Sequence, residues 1–189
     1  MLRNLLAAAA LILLSTPVFA EGDGPGPNLI IEVSGAASGK IVIDLMPDKA
    51  PKAVAQIVAL AKAGAYDNVV FHRVIDGFMA QTGDVKYGKK GGDTSMAGMG
   101  GSDMADLPSE FSTVPFDRGI VGMARSTDPN SANSQFFIMF APGDFLNGQY
   151  TVVGKVIEGM DVVDKIKRGA GEGGSVKDPD VMTKVTVQE

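Results

Sequence analysis

Arg73, Gln81 and the chain's one histidine, His72, share a single mostly apolar stretch, Phe71-His72-Arg73-Val74-Ile75-Asp76-Gly77-Phe78-Met79-Ala80-Gln81-Thr82-Gly83-Asp84. A guanidinium and an amide can hold a polar group of a ligand, and an imidazole can serve as a base. The rest of the inventory narrows what such a trio could do. The 189 residues contain no cysteine, which excludes disulfide frameworks, thiol nucleophiles, iron–sulfur clusters and cysteine-rich zinc sites. One histidine excludes multi-histidine metal sites and leaves only His72 for serine–histidine machinery. The balance of 22 acidic against 17 basic residues, a formal charge of −5, argues against a nucleic-acid partner, which wants a basic face. Gly83 and Gly88-Lys89 nearly spell a phosphate-binding loop, but Lys90 stands where Ser or Thr must follow. The glycine-rich continuation also offers no helix N-terminus. The chemistry therefore has to run without a metal, a thiol or a cofactor.

Those residues must be positioned by short strands. The 24 glycines and 10 prolines favour turns over long helices. Leu29–Val33 and Ile41–Leu45 are β-branched runs around a turn at Ser38-Gly39, a hairpin pattern. Asp48 is placed as the N-cap of a helix with Pro51 in its first turn and Gly64 as its stop. Val54, Ile57, Val58 and Ala61 form its apolar face. Further short runs follow at 69–74, 78–81, 120–124, 136–140, 150–156 and 181–187. A second, weaker helical pattern spans 159–168 through Met160, Val163 and Ile166. Six to eight strands with two helices predict a closed β-barrel or a sandwich. If the strands alternate faces without a break, Phe71 shares a side with Arg73, and Phe78 with Ala80. The glycine-dense stretch from Gly88 to Asp103 reads as a long surface loop, with disorder as the rival reading.

The N-terminus reads as an address. Arg3 precedes an unbroken apolar run from Leu5 to Leu14, then Ser15-Thr16-Pro17 and a small residue at Ala20. Ten apolar residues cannot cross about 30 Å of hydrocarbon, so residues 1–20 are expected to be a secretory signal cleaved after Ala20. No stable membrane insertion is expected afterwards. Residues 21–28, rich in Gly and Pro, read as a flexible leader, and 29–189 as one domain.

Three ordered blocks carry a family resemblance. The Phe71–Asp84 segment resembles the cyclophilin signature F-H-R-V-I-x-G-F-M-x-Q-x-G-D of peptidyl-prolyl cis–trans isomerases. Gly119–Arg125, continued through Asn130 and Ser134-Gln135-Phe136-Phe137-Ile138, resembles the second signature. Phe145-Leu146-Asn147-Gly148-Gln149-Tyr150, with Val153–Val156 and Glu158–Met160, resembles the third. The likeness spans roughly Ser38 to Val187. It implies a mainly β fold, a closed antiparallel eight-stranded β-barrel capped by two helices.

The resemblance implies rotation about X–Pro peptide bonds, opposed by a barrier of about 18–20 kcal/mol because the amide must lose its resonance. No bond is made or broken, which suits the sparse inventory. The twisted prolyl nitrogen regains a lone pair, and a guanidinium beside it favours that state over the planar one. A 10⁵-fold acceleration needs about 7 kcal/mol. One charged hydrogen bond supplies only about 1.5–3, so a dry apolar pocket must contribute the rest. By resemblance Arg73 is the catalytic cation and Gln81 orients it or a substrate carbonyl. Phe78, Met79, Phe137 and Leu146 line the proline pocket. Gln135 and the backbone at Ala124 and Arg125 hold the peptide main chain, and His72 is structural or peripheral. From composition alone, ordinary core packing is the better reading of Phe78, Phe137 and Leu146, and Arg73 reads as a surface residue.

Three positions depart from the commoner eukaryotic pattern: Phe145 for Trp, Tyr150 for His and Arg125 for Asn. Phe cannot donate the indole N–H hydrogen bond, so only weak cyclosporin binding is expected. Arg125 adds a rim charge expected to favour acidic flanks. These replacements resemble bacterial members and, with the signal, lead to the expectation of a periplasmic monomer. Its expected partners are proline-containing peptides and unfolded exported proteins. A competing expectation is a binding module that holds such clients, supported by Met96, Met99 and Met104 in the long loop.

Overall fold

The computed structural model describes residues 22–189, so the expected signal at 1–20 lies outside the described residues. The first two β-branched runs form the expected hairpin. In it β1 (Asn28–Ser34) pairs antiparallel with β2 (Gly39–Leu45), and Ile31 lies opposite Ile41. The stretch read as a flexible leader lies along this hairpin from Gly24 onward. Gly24 N–H donates to Asp44 Oδ2 (3.1 Å) and Leu45 N–H to Pro27 O (3.1 Å).

The remaining strands are β3 (Val69–Val70), β4 (Arg73–Ile75), β5 (Met79–Thr82), β6 (Ile120–Met123), β7 (Phe136–Met139), β8 (Val152–Glu158) and β9 (Val181–Gln188). They form one antiparallel sheet in the order β3-β9-β1-β2-β8-β6-β7-β5-β4. The expected closed eight-stranded barrel is therefore corrected to an open, curled sheet of nine strands. The cause lies in the run 69–74, which breaks in two. Phe71 N–H donates to Asp180 O (2.9 Å) and His72 O accepts from Val176 N–H (3.2 Å), so the chain changes partners between β3 and β4. No ladder joins these two edges. Loops cover them instead. Val70 N–H and Lys90 N–H pair the 88–90 segment with β3, and Val74 N–H donates to Gly174 O on the outer side of β4. Every exposed edge group that finds such a partner is one fewer template for edge-to-edge association.

Helix α1 (Pro51–Lys62) buries Val54, Ile57 and Ala61 as its pattern predicts, and packs against β9. Its N-cap is Ala50 rather than Asp48, which instead pairs with Lys49. The free N–H groups of the first turn are satisfied from a distance: the Glu110 carboxylate accepts from Lys52 N–H (3.1 Å) and Ala53 N–H (2.9 Å). Helix α2 (Met160–Lys165) packs against β2 and buries Val162 and Val163. No helix among the described residues is long and apolar enough to cross a membrane.

The sheet has apolar residues on both faces. Inside the curl, under α1 and α2, lies the larger core with Ile31, Ile43, Phe71, Phe136 and Ile138. On the outer face a smaller cluster gathers Met79, Phe116, Ile120, Phe137, Met139 and Leu146.

Candidate functional site

The outer cluster is the floor of a groove. On β5 and β7 the side chains alternate. Ala80, Phe136 and Ile138 point into the main core, whereas Met79, Phe137 and Met139 belong to the outer cluster. The groove of about 380 Å³ is bordered on one side by Arg73, Gln81 and Met79. Phe78, Phe137, Phe145 and Leu146 border its apolar side, and Ala124, Arg125, Gln149 and Tyr150 its far wall. Ten of the sequence-predicted site residues thus meet there, drawn from β4, β5 and the turn before it, β7, the residues just after β6, the 3-10 turn Asp144–Leu146 and the approach to β8.

Two expected face assignments fail. Phe71 lies in the inner core and Arg73 borders the outer groove, because the strand breaks between them. Phe78 precedes β5 and leans on the outer cluster while Ala80 is inside, because Phe78 sits in the turn rather than in the pleat.

Arg73 and Gln81 are directly paired across β4 and β5. Arg73 Nη1 donates to Gln81 Oε1 (3.2 Å) and Arg73 Nε to Gly173 O (3.1 Å), while Nη2 has no protein partner among the described residues. Gln81 Nε2 donates to Gln135 Oε1 (2.9 Å). Gln135, expected to hold a peptide main chain, also donates Nε2 to Gly98 O (3.0 Å) and Gly100 O (2.7 Å). Its amide is spent within the protein. It borders a second pocket of about 330 Å³, which shares Gln81, Ala124 and Arg125 with the groove.

The far wall is built on packed aromatic rings. Phe137 stacks on Phe116 with ring centroids 5.7 Å apart, and Tyr150 meets Phe137 edge-on at 5.9 Å. Arg125 lies over the Tyr150 ring at 4.3 Å. Its Nη2 donates to Gln149 O (3.0 Å) and its Nη1 to Ser126 O (2.8 Å). The rim charge expected to favour acidic flanks is thus held in place by carbonyls and an aromatic face, none of which neutralises it. Phe145 is 66% exposed and leans on Phe78 at 5.4 Å. Such a ring widens the apolar side without adding a polar group.

His72 does not border the groove. It is 8% exposed, and neither ring nitrogen has a hydrogen-bond partner among the described residues. Burial holds its pKa below the ordinary value, the neighbouring Arg73 charge adding to this while Asp84 opposes it. A neutral, enclosed imidazole suits a packing role. Sequence reasoning missed Gln149, Phe116 and Asp84. Phe116 and Gln149 have no local pattern that marks them, whereas Asp84 closes the first motif as a buried carboxylate.

The arrangement offers one unspent guanidinium edge beside an apolar floor and no nucleophile aimed into the groove. It can hold a ring and favour a more basic nitrogen at its edge. A family model described as cyclophilin type peptidyl-prolyl cis-trans isomerase matches residues 29–187. The chain is 56% identical over 190 residues to a probable peptidyl-prolyl cis-trans isomerase of Brucella suis, covering 99% of this chain and 96% of that one. Among solved structures it is similar to a cyclophilin from Hirschia baltica, with a TM-score of 0.70, 27% identity and coverage of 87% of this chain and 74% of that one. It is likewise similar to a cyclophilin-type isomerase of Cryptosporidium parvum determined in the presence of the dipeptide Ala-Pro. There the TM-score is 0.72 at 26% identity, with coverage of 86% of this chain and 99% of that one.

Proposed function

The chain belongs to the cyclophilin-type peptidyl-prolyl cis–trans isomerases, enzymes that need no cofactor, and from that premise we propose that Arg73 drives the rotation and that exported proteins are the substrates. The observation that carries the mechanism is the unspent Nη2 of Arg73 at the edge of an apolar groove. Gln81 and Gly173 hold two other positions of the guanidinium, so its free edge keeps one direction. A proline ring rests on Met79, Phe137 and Leu146, with Phe78 beside them. As the amide twists, the prolyl nitrogen becomes an acceptor and meets the free edge. That interaction is stronger in the transition state than in the planar ground state, which makes it catalytic rather than merely binding. It supplies about 1.5–3 kcal/mol, and the apolar, poorly hydrated floor supplies more by withholding water from the amide.

The Ala-Pro dipeptide used with the Cryptosporidium parvum relative supports proline-containing peptides as ligands. The Arg3 start, the Leu5–Leu14 run and Ala20 support export, cleavage after Ala20 and a periplasmic site of action. Phe145 in the tryptophan position supports weak cyclosporin binding, and Phe145→Trp is expected to tighten it in a calorimetric titration.

The decisive experiment is isomerisation of an X–Pro peptide followed by NMR exchange. Wild type accelerates it, and Arg73→Ala loses about ten- to a hundredfold in kcat/KM while remaining folded. Equal rates would reject the role of Arg73. A second reading, a holdase that grips clients, is supported by Met96, Met99 and Met104, all exposed. Suppression of client aggregation that survives Arg73→Ala would favour it.

A further inference from the structure

We propose that Asp84 is a positioning residue of the isomerase, holding the loop on which the alignment of Arg73 depends. Asp84 is fully buried and forms no ion pair among the described residues, so its carboxyl oxygens are met by backbone N–H groups alone. Oδ1 accepts from Lys86 N–H (3.1 Å) and Tyr87 N–H (2.8 Å). Oδ2 accepts from Gly98 N–H (2.8 Å) and Gly100 N–H (2.9 Å). A buried carboxylate is tolerated only with such complete hydrogen bonding.

The two glycines are gripped from both sides. Their N–H groups point to Asp84, and their carbonyls accept from Gln135 Nε2 at 3.0 and 2.7 Å. Gln135 in turn accepts from Gln81, and Gln81 from Arg73. One continuous polar relay therefore runs from a buried carboxylate to the guanidinium. The packing is close enough to need glycine. A Cβ on Gly100 would stand 2.5 Å from Asp84 Oδ1, and Gly98 has φ +101° with His72 directly beneath it. The long glycine-dense loop, which as sequence reads only as a surface excursion, thus has one end built into the site. Catalytic groups must be held to fractions of an ångström, and Gln81 and Gln135 cannot do this unless the loop carbonyls are themselves fixed. The inference rests on the reading that Arg73 stabilises the twisted amide.

The test is a double-mutant cycle. Asp84→Asn keeps the shape but sets an NH₂ group against two N–H donors. In the wild-type background it is expected to lower kcat about fivefold with KM little changed, and to speed amide exchange at Gly98 and Gly100. In a Gln135→Leu background, where the relay is already cut, the same substitution is expected to change kcat less than about twofold. A merely structural role would give equal losses in both backgrounds, and that result, or no loss in either, overturns the proposal. Should Asp84→Asn not fold, Gly100→Ala pushes the same loop off the carboxylate and carries the same prediction in both backgrounds. An Arg73→Ala variant measured alongside separates the two ideas. If it retains full activity the Arg73 reading fails and this inference falls with it. If it is impaired while Asp84 substitution is inert or additive, this inference alone fails.

Discussion

Phe136 and Phe137 are adjacent on β7, are of one residue type and are both buried, yet they serve different sides of one sheet. Phe136 points inside the curl and meets Tyr66 edge-on at 5.7 Å, enclosed by strands and helices. Phe137 points outward, rests on Phe116 and borders the groove. Phe136 is only 1% exposed, so its packing is a matter of stability. The outer region is a second, smaller core left uncovered on one side, and the uncovered part is where a ligand ring can replace water. Burial does not separate the two phenylalanines; what covers them does.

Substitution of the two phenylalanines themselves is expected to have the largest effects. Phe136→Ala is expected to cost about 3–5 kcal/mol of folding free energy, read from chemical denaturation, because enclosed walls cannot collapse onto the void. Phe137→Ala is expected to cost less, about 2–3 kcal/mol, since groove water can enter the space, but to lower kcat/KM about tenfold or more. Equal folding losses with no change in activity would show that the outer cluster is ordinary core.

A smaller effect is expected at the N-terminus of α1, outside either region. Glu110→Ala removes the distant carboxylate that meets Lys52 and Ala53 N–H, and is expected to lower stability by about 1 kcal/mol without altering kcat. The smallest effect is one of pH. His72 lies between the inner core and the loop at Gly98, and burial keeps its folded pKa below the ordinary value near 6.5. On acidification the unfolded chain takes up a proton first. Stability is therefore unaffected by His72 above about 6.5 and falls as pH drops from there towards the lower folded value. A His72→Phe variant is expected to lose less Tm than wild type between pH 7 and pH 5, as read by calorimetry. An identical slope would mean that the imidazole is not enclosed as described.

Much of this molecule is legible from local pattern. The β1–β2 hairpin, the apolar face of α1 and the short apolar runs at 120–124, 136–140 and 181–187 all follow from residue type and spacing. The motif residues also converge, and ten of them border one groove. Pattern fails where a partner distant in sequence decides the outcome. The run 69–74 looks like one strand because nothing in it announces that Asp180 and Val176 will take its hydrogen bonds. Asp48 looks like a cap because the competing carboxylate, Glu110, is some 60 residues away. Arg125 looks like a free rim charge because the carbonyl of Gln149 and the ring of Tyr150 cannot be assigned to it in advance.

By itself the sequence determined the chemistry available: no thiol, a single histidine, and one arginine beside an amide in apolar surroundings, suited to a rotation that transfers no atom. Residue types set that directly, because a reaction can use only the groups the chain carries. The tertiary structure alone decided which face of the sheet is open, which edge of Arg73 is left unspent and that a buried aspartate stands behind it. Those outcomes depend on hydrogen-bond competition between segments far apart in sequence, and such competition has no local signature.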